Sequence, residues 1–184
     1  CTPLSEYEKI FLACNKHLKK NVVVTDVGSA KKSTITQINK IKRKDINWIS
    51  SHPIAGSEVS GPLNGDEDLF KNKWSVIIKQ KNSSSSQMQK IMKFWKLLDS
   101  KPVIMDADQH DKIFAITSHL PHLIAYNLIL TATNFKSLNK SNKENILKFS
   151  AGGLRDFSRI AASNEVMWRD IFFNNKTNML NVID

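Results

Sequence analysis

Cysteine is nearly absent. Cys1 and Cys14 are the only two in 184 residues, too few for a disulfide framework and without the paired spacing of a zinc site. Arginine is scarce as well. It stands only at Arg43, Arg155, Arg159 and Arg169, so the net charge of +10 rests on scattered lysines, mildly clustered at 40–44. Nucleic-acid binders tend to gather arginine and aromatics on one face. A solvated lysine surface is therefore expected and a nucleic-acid partner is not, although a basic field would still draw an anionic ligand. No charged, apolar, small-residue leader opens the chain. The longest apolar stretch, 120–130, is broken by Pro121, His122 and Asn127 and is too short to span a bilayer. These absences point to a soluble, cytoplasmic protein of a reducing compartment with no membrane partner. Apolar residues, by contrast, are plentiful: at 41% they support a core in one ordinary domain or two small ones.

Periodicity divides the chain in two. Leu4, Ile10, Phe11, Ala13, Cys14 and Leu18 recur at helical spacing and predict a helix over 5–20. The β-branched run 22–26 predicts a buried parallel strand. Gly28 and Ser29 turn the chain into a helix over 31–41, and 46–50 predicts the next strand. Residues 56–65 hold three glycines and a proline and read as a loop. A helical turn at 66–70, a strand at 74–79 and a polar linker at 81–86 follow. The linker ends in a helix cap. Residues 87–98 are amphipathic, with Met88, Ile91, Met92, Trp95 and Leu98 on one stripe, and 103–105 predicts a last strand. Strands alternating with helices imply an α/β unit with a mainly parallel sheet. After Asp106 the strand signal stops. Residues 108–134 read as helix, with Pro121 expected to kink it or free a carbonyl. A polar connection, 139–145, leads to helices over 146–162 and 164–174, where Gly152 and Gly153 allow close approach. The expected organisation is an α/β unit over 1–105 followed by an all-helical unit over 106–184.

Four clusters could carry chemistry. In the first, Thr25 to Lys31, a strand turns into a helix. Such a turn aims backbone N–H groups and the Ser29 hydroxyl at the sheet edge, although Ser29 could equally be a plain helix cap. In the second, the predicted strand 46–50 ends in His52, Pro53, Ile54, Ala55, Gly56, Ser57 and Glu58, at the rim where α/β enzymes place their sites. Taken alone, a single histidine there reads as an ordinary surface residue. The third holds Ser118, His119 and His122. Two histidines three apart share a helix face, but no third metal ligand has suitable spacing. The fourth is Gly152 to Arg159 with Trp168, Arg169 and Asp170. Asp156 and Arg159 can share a face there, and a guanidinium fork suits a carboxylate. The ordinary alternative is a surface ion pair.

These five stretches, counting Met167 to Asp170 separately, stand in the order and spacing that resembles the prephenate/arogenate dehydrogenases of tyrosine biosynthesis. The resemblance runs from near residue 1 to about residue 175. It implies the C-terminal part of a Rossmann dinucleotide-binding domain, then an all-α dimerisation and substrate domain. It implies oxidation and decarboxylation of prephenate or arogenate with NAD or NADP, by a homodimer. By resemblance, His52 is the catalytic histidine bonded to the ring hydroxyl, and Ser29 orients that hydroxyl near the nicotinamide. Arg159 grips a substrate carboxylate, His122 lies beside the substrate side chain, and Trp168 closes the pocket, from either subunit. Ser118, Ser57, Gly152 and Asp156 match lining or supporting positions, Ser57 standing where many relatives carry threonine. Thr2, Pro3 and Asp26 match positions near the cofactor. The family's Gly-x-Gly-x-x-Gly turn has no counterpart here, so the chain is expected to be an internal fragment lacking segments at both ends. A related dehydrogenase acting on another acid, or an inactive dimerising fragment, are the alternatives.

Overall fold

The computed structural model of the chain describes residues 2–56, 61–134 and 148–184. The extended run 46–54 is the spine of the α/β unit. Its first half, β2 (Asn47–Trp48), lies parallel to β1 (Val23–Val24). Its second half, β3 (Ser51–Pro53), lies antiparallel to β4 (Trp74–Ile78), which is itself parallel to β5 (Lys101–Met105). The change of partner falls at Ile49 and Ser50. Ile49 N donates to Val24 O at 2.9 Å, and Ile78 N donates to Ser50 O at 2.8 Å.

The connections decide these directions. A parallel neighbour needs a crossover, usually a helix. Helix α2 (Lys32–Ile41) supplies one between β1 and β2, and α3 (Ser85–Leu97) supplies one between β4 and β5. Between β3 and β4 the described residues hold only a short 3₁₀ turn, Pro62–Asn64, and β4 returns antiparallel. Two of the three pairings are thus parallel, as expected, with β3–β4 the antiparallel exception, and His52 lies within a paired strand rather than in a loop.

Helices cover the sheet with only part of each predicted stripe, since Ile10, Ala13, Cys14 and Leu98 are exposed. Helix α1 (Tyr7–Asn15) brings Phe11 against Ile38, Ile46 and Trp48, and the Phe11 and Trp48 rings meet edge-on at 5.4 Å. Helix α3 buries Met88, Ile91 and Trp95 against Ile49 and Ile77. Full burial of each such side chain is worth about 1.5–3 kcal/mol.

The helical unit opens with α4 (Ala107–Phe114), capped by the Asp106 side chain, which accepts from Gln109 N at 2.8 Å. It runs through a π turn, Ala115–His119, into α5 (Leu120–Asn134), and Leu120 N donates to Ala115 O five residues back. Pro121 has no N–H to offer the carbonyl of Thr117, and the wider turn lets the helix continue past it. The result is one 28-residue helix, Ala107–Asn134, which holds an 18-residue stretch of mean hydropathy 1.4. By length and composition alone it could cross a membrane, which the broken stretch 120–130 did not suggest. Its buried side, however, carries His110, Asp111 and His119. Helix α6 (Gly152–Ala161) packs along α5, and α7 (Glu165–Asn174) is capped by Asn164 and followed by α8 (Lys176–Ile183). The two units share a core in which Leu4, Tyr7 and Ala30 meet Trp168 and Ile171.

Candidate active site

The turn after β1 is held by a buried ion pair. Lys31 Nζ lies 2.6 Å from Asp26 Oδ2, and both side chains are almost completely buried. Lys31 also donates to Ser51 O at 2.6 Å and to Ser50 Oγ at 3.2 Å. Asp26 accepts from Gly28 N at 3.1 Å and from Ser50 Oγ at 2.6 Å. Burial pushes the Lys31 ammonium below its ordinary range, against the pull of Asp26. Both oxygens of Asp26 are bonded inside the protein and hold the turn. Gly28 is required here: a Cβ would stand 2.6 Å from Leu4 Cδ2 and 2.8 Å from the Tyr7 hydroxyl.

The N-terminus of α2 is capped from the other unit. Asp111 accepts from Lys31 N and Lys32 N, each at 2.9 Å, one on each oxygen. A carboxylate there satisfies two orphan donors and complements the helix dipole. Ser29, which local sequence suggests as the cap, makes no such bond. It is half-buried, free of the capping duty and close to the ring of His119.

Three histidines gather at this junction. His52 Nδ1 lies 2.8 Å from His110 Nε2, and His110 Nδ1 lies 2.8 Å from Asp111 Oδ1. Phe114 packs against both rings, at 4.9 Å from His52 and 4.5 Å from His110. His52 is 8% exposed, so it is no ordinary surface residue. Burial, then the positive fields of His110, Lys31 and His119, hold its pKa well below the usual 6.5. His119 is fully buried. Asn175 Nδ2 donates to Asp111 O at 2.7 Å, which fixes that atom as the nitrogen, and donates to His119 Nδ1 at 3.1 Å. His119 is therefore protonated on Nε2, and its ring faces the backbone of Ser29.

One turn further along, His122 Nδ1–H donates to Ser118 O at 2.9 Å, leaving Nε2 as the acceptor. The His122 ring stacks on Trp168 of the same chain, with centroids 3.5 Å apart and planes 17° apart. Trp168 is buried, and its Nε1 has no partner among the described residues. Helix α6 presents Gly152, Asp156 and Arg159 on its exposed surface. Thr2 and Pro3 lead into the 3₁₀ turn Leu4–Glu6, where Ser5 N donates to Asp170 at 3.0 Å. Ser57 and Glu58 lie outside the described residues. The structure thus joins Ser29, His52 and His119 in one cluster and sets His122 and Trp168 face to face. Arg159 and Asp156 sit on a separate helix. Sequence reasoning missed His110, Asp111 and Asn175. The signal was available for the first: His110 and Phe114 are four apart on an amphipathic helix, and an imidazole on an apolar face needs a buried partner.

The buried histidines predict acid sensitivity. Burial lowers the pKa of His119 to about 4, so the unfolded chain binds a proton that the folded chain refuses. Stability is then full above pH 6.5 and is lost as pH falls toward the folded value. His119 alone should cost about 2 kcal/mol between pH 7 and pH 5, above the carboxylate range, with His52 and His110 adding to it. Urea unfolding midpoints at the two pH values check this; equal midpoints would contradict it.

A sheet with helical crossovers after β1 and β4, joined to a helical unit with histidines at the junction, defines an α/β domain followed by an all-helical domain. Residues 1–104 match the family described as prephenate dehydrogenase, nucleotide-binding domain, and residues 106–184 match prephenate dehydrogenase, dimerization domain. The chain belongs to the prephenate dehydrogenase family. It is 33% identical, over all its 184 residues, to a cyclohexadienyl dehydrogenase of Zymomonas mobilis, covering 61% of that protein. It is 29% identical over 167 residues to a prephenate dehydrogenase of Bacillus subtilis, covering 91% of this chain and 44% of the relative. The crystal structure of Aquifex aeolicus prephenate dehydrogenase in complex with hydroxyphenyl propionate and NAD+ superimposes with a TM-score of 0.87 at 29% identity. That match covers 99% of this chain and 62% of the other. The chain therefore spans less than two thirds of the length of these relatives.

Proposed function

We propose that this chain carries the base and the substrate-binding groups of an NAD(P)-dependent dehydrogenase that oxidises and decarboxylates prephenate or arogenate. The observation that carries the proposal is His52, a buried imidazole held neutral and tied through Nδ1 to His110, in the same cluster as Ser29. The relative solved with NAD+ and hydroxyphenyl propionate supports the ligand classes.

Half-buried Ser29 has its backbone beside His119, and its hydroxyl, with Thr2 and Pro3, would border the nicotinamide. The N-terminus of α2 would otherwise attract a pyrophosphate, but Asp111 already caps it. The nicotinamide, when bound, supplies the hydride acceptor. Neutral His52 takes the proton of the ring hydroxyl as that carbon gives up its hydride and becomes a carbonyl. The bond from the ring to its carboxylate breaks, CO2 leaves, and the freed electron pair aromatises the ring. The phenolate oxygen then recovers its proton from His52, so no net proton is released. Ser29 orients the hydroxyl, His122 and Ser118 border the side chain, and Trp168 backs His122. By the family pattern, Gly152 and Asp156 of α6 would support the pocket.

Arg159 grips a substrate carboxylate in ground and transition states alike. Arg159→Ala should raise KM roughly 10–100-fold, the worth of a hydrogen bond to a charged group, with kcat little changed. An unchanged KM would shift the role to Arg155. The exposed Ile116, Ile124, Leu130, Phe149 and Phe173 need cover, and homodimerisation of a cytoplasmic enzyme provides it.

The test is formation of NADH or NADPH by the purified chain with prephenate or arogenate. The same assay is run on the chain joined to a family member's first strand and glycine turn. Turnover by the chain alone supports the proposal in full. Turnover by the joined form only makes this chain the catalytic and substrate half. No turnover by either, with any pairing of substrate and cofactor, overturns the proposal.

A further inference from the structure

We infer that His110 and Asp111 set the tautomer of His52, so that its Nε2 is the nitrogen able to accept a proton. Asp111 fixes one end of the chain of hydrogen bonds. Asp111 accepts two backbone N–H bonds, from Lys31 and Lys32, donors that have no alternative role there. A carboxylate so placed is an acceptor at every other contact. His110 Nδ1, 2.8 Å from Asp111 Oδ1, must therefore carry the hydrogen. A neutral imidazole has one N–H and one lone pair, so His110 Nε2 is an acceptor. His52 Nδ1 sits 2.8 Å from that lone pair and must in turn be the donor. His52 Nε2 is left with its lone pair and no hydrogen.

The order depends on all three groups being arranged as they are. Two neutral imidazoles at this distance can share only one hydrogen, and without a fixed end either ring could supply it. Asp111 removes that freedom because the backbone of α2 holds it from the opposite side. Burial of both rings, with Phe114 against each, excludes water that could offer another partner. Burial of His52 and His110, which lowers the pKa of each, keeps the pair neutral. His110 and Asp111 are thus positioning residues that act through His52. Their catalytic consequence rests on the function proposed above, while the proton order itself does not.

Nitrogen-15 NMR of the histidine rings reads the proton order directly at pH 7, with His52→Asn and His110→Gln used to assign the signals. The expected result is a hydrogen on Nδ1 and a bare Nε2 for both His52 and His110. A hydrogen on Nε2 of His52 overturns the inference whatever the enzyme does. In His110→Phe the acceptor is gone, and His52 should become a mixture of tautomers. In His110→Gln the amide oxygen can accept from Nδ1, and the original tautomer should persist. A His52 signal that is the same in all three proteins overturns it as well, and the wild-type spectrum decides the matter even if His110→Phe fails to fold. In the turnover assay His110→Phe should lower kcat roughly 3–10-fold, about one hydrogen bond's worth, at unchanged KM, with His110→Gln restoring most of it. Expected spectra combined with no turnover in any form would leave the proton order standing and overturn the catalytic proposal instead.

Discussion

His52→Asn is expected to lower kcat by ~10²–10⁴-fold, the usual contribution of a positioned general base, with little change in KM. Asparagine keeps a donor near the Nδ1 position and so preserves the contact with His110, but it cannot take up a proton. The pH profile sharpens the same expectation. Sequence alone would place the acid limb of kcat near a histidine's ordinary value. The structure moves it lower, because burial and the fields of His110, Lys31 and His119 depress the pKa of His52. The base is neutral above its own pKa, so kcat should stay flat from neutral pH through 6.5 and fall only in more acid solution. Steady-state kinetics across that range check both points. A variant with near-normal kcat, or a wild-type limb at or above 6.5, would remove His52 from the role.

Lys31→Met should be the most destabilising single change in the α/β unit. Its ammonium is fully buried and bonds to Asp26, Ser50 and the carbonyl of Ser51 at once. Removing it leaves the Asp26 carboxylate buried without a cation. Breaking a buried pair in this way costs about 3–5 kcal/mol, a large share of the ~5–15 kcal/mol that holds a typical domain. The double variant Lys31→Met with Asp26→Asn removes both charges and should recover a good part of the loss, because Asn keeps an oxygen for Gly28 N or Ser50. Urea unfolding midpoints of the three proteins test this. A single variant within 1 kcal/mol of wild type would show that the pair contributes little.

Much of the layout was legible because local chemistry wrote it. The stripe Met88, Ile91, Trp95 became the buried face of α3, and the run around Val23 and Val24 became a strand parallel to β2. The illegible parts share one cause: their partners are distant in sequence. Ser29 looks like the cap of α2, yet the cap is Asp111, eighty residues from Lys31. A lysine in a turn looks solvated, yet Lys31 is buried because Asp26 and Ser50 converge on it. His52 alone is an unremarked residue at a strand end, and what distinguishes it is contact with His110, 58 residues on. The direction of β4 turned on the absence of a crossover helix among the described residues before it. Pro121 was visible as a helix disturbance, but not that one π turn would absorb it. The residues of α6 were identifiable only as a charged pair on a helix, and the role of Arg159 rests on the family pattern.

His52 is proposed to drive an oxidation coupled to decarboxylation. The measurement that tests it most directly is the amount of CO2 released per NAD(P)H formed from prephenate or arogenate. It is made with whichever form of the chain turns over, beside its His52→Asn variant. The account predicts equal amounts from the unaltered protein and almost none of either from the variant. Reduced cofactor without CO2, or equal yields from the two proteins, would contradict it.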